Sequence, residues 1–195
     1  MILDPKGKRP QASPAVAGPA QLREIPGRAF VPSATGNWFV LHTKSRQEKA
    51  LAVDLDRLGV AHYLPLVSQV RYHGKRKAVV EEALFPGYLF LRGTLDQAYD
   101  ADRTKRVANI IAVSDQPRID WELRNLWIAL GRGATLDPYP FLKLGRKVIV
   151  RSGPFQGLQG LVEERMTWDR LILTVDMLGQ AVSLEIDGSL LDPVE

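Results

Sequence analysis

One ten-residue run, Ala83-Leu84-Phe85-Pro86-Gly87-Tyr88-Leu89-Phe90-Leu91-Arg92, constrains this chain more than any other stretch. Pro86-Gly87 is a turn dipeptide set between two apolar segments. From Tyr88 to Leu91 the period of a strand sends Tyr88 and Phe90 to one face and Leu89 and Leu91 to the other. Both faces are apolar, so the strand must be covered on both sides, either by its own domain or by another protein.

The rest of the chain supplies room for such a domain. Its 195 residues, 45% of them apolar, suffice for one large or two small domains with real cores. No run approaches the roughly 18 apolar residues of a transmembrane helix, and the N-terminus is too rich in Pro and charge for a signal peptide. The expectation is a soluble, cytoplasmic protein without a membrane partner. The absence of cysteine excludes disulfides, thiolate metal sites and a Cys nucleophile. A formal net charge of +4 permits a nucleic-acid partner without demanding one.

Taken in order, residues 1–36 carry six prolines and basic residues without an apolar period, which predicts a disordered tail. Trp38 to Thr43 is β-branched and aromatic, and reads as a strand. A helix follows, with Ser45 and Glu48 at capping-box spacing, an apolar stripe at Leu51, Leu55 and Leu58, and Gly59 as its C-terminal stop. Val60 to Leu64 and Val67 to Tyr72 predict short strands parted by Pro65. The basic run Arg71 to Lys77, with Gly74 in its middle, predicts a hairpin tip whose returning arm feeds the central run. Asp96 to Arg103 predicts a short helix, Asn109 to Val113 a buried strand, and Asp120 to Leu130 a helix with Leu123, Leu126, Trp127 and Leu130 on one stripe.

The domain over residues 37–132 is therefore expected to be an α/β sandwich with about four strands. Gly131 to Leu144, with Gly133, Pro138 and Pro140, predicts a linker centred on residues 133–144. Beyond it, Lys147–Arg151, Gly160–Glu164, Leu171–Val175 and Ala181–Glu185 are short strands about ten residues apart, the pattern of a small barrel over residues 145–195. Gly153, Gly157 and Gly160 permit positive φ or close backbone approach in an inter-strand loop from which Phe155 projects.

Lys147 to Val162 resembles a KOW motif, and Trp38 to Arg92 resembles the NGN domain of the NusG family of transcription elongation factors. Phe85-Pro86-Gly87-Tyr88 and Gly179 to Asp187 also fall where the family's motifs do. The resemblance covers residues 37–195 in the family's order of NGN, linker and KOW. It implies an α+β protein, an NGN-like α/β sandwich with an antiparallel sheet joined to a small SH3-like β-barrel.

The resemblance further implies that the apolar NGN face docks the clamp helices of RNA polymerase through Phe85, Tyr88 and Phe90, with Trp38, Val40 and His42 at the rim. Two or three helices are expected to cover only one face of the sheet and leave this one to a helical partner. Lys44, Arg57, Thr104 and Lys105 match positions that face the non-template DNA strand in the RfaH-type branch, and Lys75, Arg76 and Lys77 join them electrostatically. The hairpin is similar to that of specialised RfaH-like paralogues. A His-Thr-Thr contact used in that branch is replaced by Gln97-Ala98-Tyr99, and an aromatic that some KOW domains turn to the ribosome is replaced by Gly188.

Phe155 is the candidate KOW contact to a further partner, among which nascent RNA, the ribosome or a termination factor are the classes implied. The alternative reading is an RNA- or ribosome-binding module that acts through the barrel. A catalytic reading finds little support. His42, His62 and His73 lack metal-ligand spacing, and the adjacent pairs Glu81-Glu82 and Glu163-Glu164 point to opposite faces of their strands. The expectation is thus a monomeric, non-enzymatic elongation or antitermination factor without metal or cofactor. A barrel that masks the aromatic face until the protein is recruited is a third arrangement that the sequence leaves open.

Overall fold

A computed structural model describes residues 35–73, 76–139, 145–163 and 169–194. The expected tail lies outside them apart from Thr35 and Gly36. The chain runs β1 (Asn37–Thr43), α1 (Glu48–Arg57), β2 (His62–Tyr63), β3 (Leu66–His73), β4 (Arg76–Ala83), β5 (Tyr88–Gly93), α2 (Leu95–Arg103), β6 (Val107–Ala112) and α3 (Gln116–Gly131). It continues with β7 (Asp137–Tyr139), β8 (Arg146–Val150), β9 (Gln159–Glu163), β10 (Asp169–Val175), β11 (Gln180–Ile186) and β12 (Leu191–Pro193). The result is an α+β fold with antiparallel sheets.

The first sheet has four antiparallel strands in the order β2-β5-β1-β6. Along β1 and β5 the alternation holds as the sequence predicts. Phe39, Leu41, Leu89 and Leu91 point to one face, where they pack with Leu51, Ala52 and Leu55 of α1 and Ala98 and Ala101 of α2. Trp38, Val40 and Phe90 point to the other, where Ile119, Leu123 and Leu126 of α3 cover them. This differs from the expectation that helices shield one face alone. One long helix serves the second face because α3 starts earlier than its apolar stripe predicts. Asp115 caps it by accepting the Arg118 backbone N–H at 2.9 Å, and Pro117 sits in its first turn, where a missing N–H costs nothing.

Other local expectations are corrected by long-range partners. Ser45 and Glu48 do not form a capping box, since the N-cap of α1 is Gln47 and the Glu48 carboxylate accepts the backbone N–H of Gly87. The capping box occurs on α2 instead, between Thr94 and Gln97. This also gives Gln97-Ala98 a structural task, as Ala98 is fully buried. Leu58 stands exposed as the C-cap of α1 and Trp127 is exposed on α3, so neither completes its predicted stripe. The β6 strand is not buried but is an edge strand, with Ala108, Asn109 and Ala112 exposed.

Strands β3 and β4 pair in register from Leu66–Ala83 to His73–Arg76 as a separate two-stranded ribbon. The second sheet has six strands in the order β12-β8-β9-β10-β11-β7. Its strand β7 lies inside the stretch expected to be linker and pairs with β11. Both of its edge strands contain a proline, Pro138 and Pro193, which denies a foreign strand one backbone donor. Gly153 and Gly157 adopt positive φ of +87° and +85°. Gly160 is required by proximity, since a Cβ there would lie 2.5 Å from the Ile172 carbonyl oxygen.

Candidate functional site

Three cross-strand pairs of β1 and β5 lie in a row on the sheet face that carries α3. They are Trp38–Arg92, Val40–Phe90 and His42–Tyr88. The helix is fastened over the first pair. Gln116 accepts the Trp38 backbone N–H at 2.6 Å and donates to the Trp38 carbonyl at 3.0 Å. Asp120 accepts the Trp38 indole N–H at 3.0 Å and an Arg92 N–H at 2.6 Å. The Arg92 guanidinium also lies over the Trp38 ring, 5.2 Å from its centroid. Burial opposes the charge of Asp120, yet the bonds from Trp38 and Arg124 and the Arg92 charge outweigh it and hold its carboxyl below the ordinary range.

The third pair escapes this cover. His42 is exposed and Tyr88 half-buried, and their rings stack with centroids 5.2 Å apart. A register shift between His42 and Thr43 in the β1–β6 pairing re-aims the strand at this point. The turn before Tyr88 is held from three sides. Gly87 donates to Glu48 Oε1 at 2.7 Å, its carbonyl accepts the Thr43 N–H at 2.8 Å, and Tyr88 donates to the Phe85 carbonyl at 3.1 Å. Gly87 has φ +86°, and a Cβ there would sit 3.6 Å from the His42 ring. The glycine is thus required by the turn's backbone and not by lack of space.

Of the six residues expected to meet polymerase, Trp38, Val40, Phe85 and Phe90 are buried in the chain's own core, with Phe85 edge-on to Phe90 at 6.3 Å. Of these six, His42 and Tyr88 alone reach the surface. The physical reason is the cover provided by α3.

A second group of expected residues converges on two adjoining loops. The Lys44 N–H donates to the Arg106 carbonyl at 2.8 Å, which ties the β1–α1 loop to the α2–β6 loop. Arg106 then binds Asp54 at 2.6 Å, and Asp54 also receives Arg57 at 3.1 Å. Lys44, Arg57, Thr104 and Lys105 thus lie on or beside these two hydrogen-bonded loops. Thr104 donates to the Ala101 carbonyl as part of the α2 terminus, while Lys44 and Lys105 are exposed. Arg46 and Lys105 are the two described non-glycine residues with positive φ, +58° and +61°. Each is an uncommon backbone state, and both fall in this loop pair. Sequence reasoning missed Arg46 and Arg106, whose sole signal was adjacency to residues already singled out. Lys75 and the side chains of Arg76 and Lys77 lie outside the described residues.

The third feature was not legible at all. Arg118, Glu122, Asn125, Ala129 and Arg132 recur at spacings of four, three, four and three along the α3 side that faces the barrel. Arg118 binds both Glu122 at 2.7 Å and Asp176 at 2.9 Å. Glu122 Oε2 accepts the Asp176 backbone N–H at 3.2 Å, and Asn125 accepts the Gln159 backbone N–H at 3.0 Å. Arg132 donates to the Gln156 carbonyl. Burial, reinforced by the nearby Asp176 charge and opposed by Arg118, pushes the Glu122 carboxyl up to about 7. Phe155, in the loop that contains Gln156, is half-buried and packs on the same apolar cluster as α3.

A stacked aromatic pair, two basic loops and a second antiparallel sheet stand together on one chain. The family model described as "Transcription termination factor nusG" matches residues 36–120, the part of the chain that contains the first two of these features. The transcription termination/antitermination protein NusG of Lactococcus lactis is 26% identical over 175 residues, which cover 81% of this chain and 93% of that protein. NusG of Helicobacter pylori strain J99 is 25% identical over 165 residues, covering 77% and 94% respectively. A solved structure of Thermotoga maritima NusG is 20% identical with a TM-score of 0.42, covering 82% of this chain and 97% of that one. The likeness to NusG thus spans residues 36–120 in the family model and about four-fifths of the chain in these relatives.

Proposed function

We propose that this protein is a non-enzymatic transcription termination/antitermination factor that grips RNA polymerase through the His42–Tyr88 end of its first sheet. The observation that carries the reading is the stacked pair itself. It is an aromatic contact of preset geometry left open at the end of an otherwise covered face, within the segment that matches the NusG model. Stacking fixes both rings before a partner arrives, so little side-chain freedom is lost on docking. The partner surface proposed is the polymerase clamp helices, whose apolar side chains would pack on Tyr88 while the buried Phe90 and Phe85 keep the strand rigid beneath it.

Lys44, Arg46 and Lys105 would lie along the non-template DNA strand, with Arg57 and Arg106 held in place through Asp54. Phosphate contacts of this kind position a factor without specifying sequence. The factor would act by favouring one state of the elongation complex, and only to the extent that it binds that state more tightly than the others. The barrel would recruit a further partner through Phe155.

The experiment is co-purification of Tyr88→Ala and His42→Ala variants with RNA polymerase. Loss of the Tyr88 ring is expected to weaken binding by about 2 kcal/mol, roughly 30-fold, as for an interface anchor. The far-UV spectrum and melting point should change little, because the ring is half-exposed. Polymerase binding unchanged in both variants would refute the reading.

A further inference from the structure

We propose that the junction between α3 and the barrel is a proton-operated latch, in which a protonated Glu122 keeps the barrel docked and an ionised Glu122 loosens it. The geometry counts the charges. The Glu122 side chain is 1% exposed and shares Arg118, its one ion-pair partner among the described residues, with the Asp176 carboxylate, which is 48% exposed. One guanidinium thus serves two carboxylates. With both ionised the junction carries an uncompensated negative charge, and the member shielded from water is Glu122. A proton on Glu122 removes the excess and leaves Arg118 paired with Asp176.

Among the described residues, no second cation lies within ion-pair distance of the carboxyl. On α3 itself the nearest charged groups are Arg118 and Asp115, the N-cap. On the barrel side they are Asp176, just after β10, and Lys147 of β8, which lines the same cleft of about 440 Å³. Trp121 fills part of that cleft with the Arg118 guanidinium over its ring at 5.1 Å. The other bonds across the junction, the Gln159 N–H to Asn125 and Arg132 to the Gln156 carbonyl, involve no carboxylate. Glu122 is therefore the group whose ionisation changes the docking energy between pH 6 and 8.5.

The sign follows from the raised carboxyl. Docking is strongest where Glu122 is protonated and weakens as pH rises through about 7. If the undocked carboxyl returns to its ordinary value, the docking constant falls about tenfold between pH 6 and 8.5. The inference needs no polymerase and stands apart from the proposed function.

Amide hydrogen exchange on the full-length chain tests it. The Gln159 and Asp176 amides bond to α3 across the junction, so their protection, corrected for intrinsic exchange, reports undocking even when the open state is rare. The Ile172 amide, inside the barrel, reports unfolding. The expected result is an about tenfold loss of protection at Gln159 and Asp176 from pH 6 to 8.5 with Ile172 unaffected. Glu122→Gln should abolish that dependence and hold protection at its low-pH level. Asp176→Asn, which removes the second carboxylate, should raise Gln159 protection at pH 8.5. A wild-type profile without pH dependence, an unaltered dependence in Glu122→Gln, or unchanged or lower protection in Asp176→Asn at pH 8.5 would each overturn the proposal.

Discussion

The Glu48 carboxylate accepts the backbone N–H of Gly87 at 2.7 Å, joining the first residue of α1 to the turn that delivers Tyr88. The bond holds the turn that positions the aromatic pair, while the N-cap residue Gln47 accepts from Arg106 instead of capping the helix. Glu48→Ala leaves the Gly87 donor without its acceptor and is expected to lower stability by about 1–2 kcal/mol. Denaturant titration measures that loss. Affinity for polymerase should fall beyond what the fraction unfolded explains, because the turn loses one of its three tethers.

Phe90 and Tyr88 are two residues apart on the same face and should separate cleanly. Phe90 is fully buried and edge-on to Phe85, so Phe90→Ala is expected to cost about 3–5 kcal/mol of stability. A melting curve of the purified variant checks this. Tyr88→Ala, in contrast, should spare the melting point and reduce binding.

Asp120 gathers the Trp38 indole, Arg92 and Arg124. Its carboxyl is lower in the native state than the ordinary 3.8, so the stabilisation is complete above that value and drains away as pH falls through the native one. Asp120→Asn should flatten this acid limb in a plot of stability against pH. Asp120→Ala should cost about 2 kcal/mol near neutrality by stranding charged donors.

Lys44 and Lys105 are exposed on loops that hydrogen-bond one another. If each neutralises one phosphate of a single strand, Lys44→Gln and Lys105→Gln should each reduce the salt slope of DNA binding by about 0.7. Fluorescence anisotropy across a salt series reads the slope directly, and unchanged slopes would remove these two residues from the contact.

Much of the fold was legible because period-2 alternation is a local signal. The faces of Tyr88, Leu89, Phe90 and Leu91, the Gly59 stop and the barrel strands β8 to β11 could all be read from neighbours in sequence. What stayed hidden depends on partners far along the chain. Nothing near Glu48 says that its carboxylate serves Gly87 instead of its own helix. Nothing near Trp38 says that Gln116 and Asp120 will bring a helix over it, which is why four of the six expected contact residues lie in the core. Arg118, Glu122 and Asn125 read as an ordinary polar stripe, since their meaning is supplied by Asp176 and Gln159 in the barrel. Lys44, Arg57 and Lys105 were singled out by family resemblance alone, and Asp54, the acid that binds Arg57 and Arg106, carried no signal of its own.

The early start of β7 shortens the tether between the two sheets. With α3 ending at Gly131 and β7 beginning at Asp137, the joining segment is residues 132–136, a reach of about 20 Å at full stretch. A barrel so closely leashed meets α3 at a local concentration in the millimolar range. Diluting the protein therefore leaves the balance between docked and undocked forms untouched. A rival ligand for either surface has to match that millimolar competition in affinity or abundance before it can hold the two halves apart.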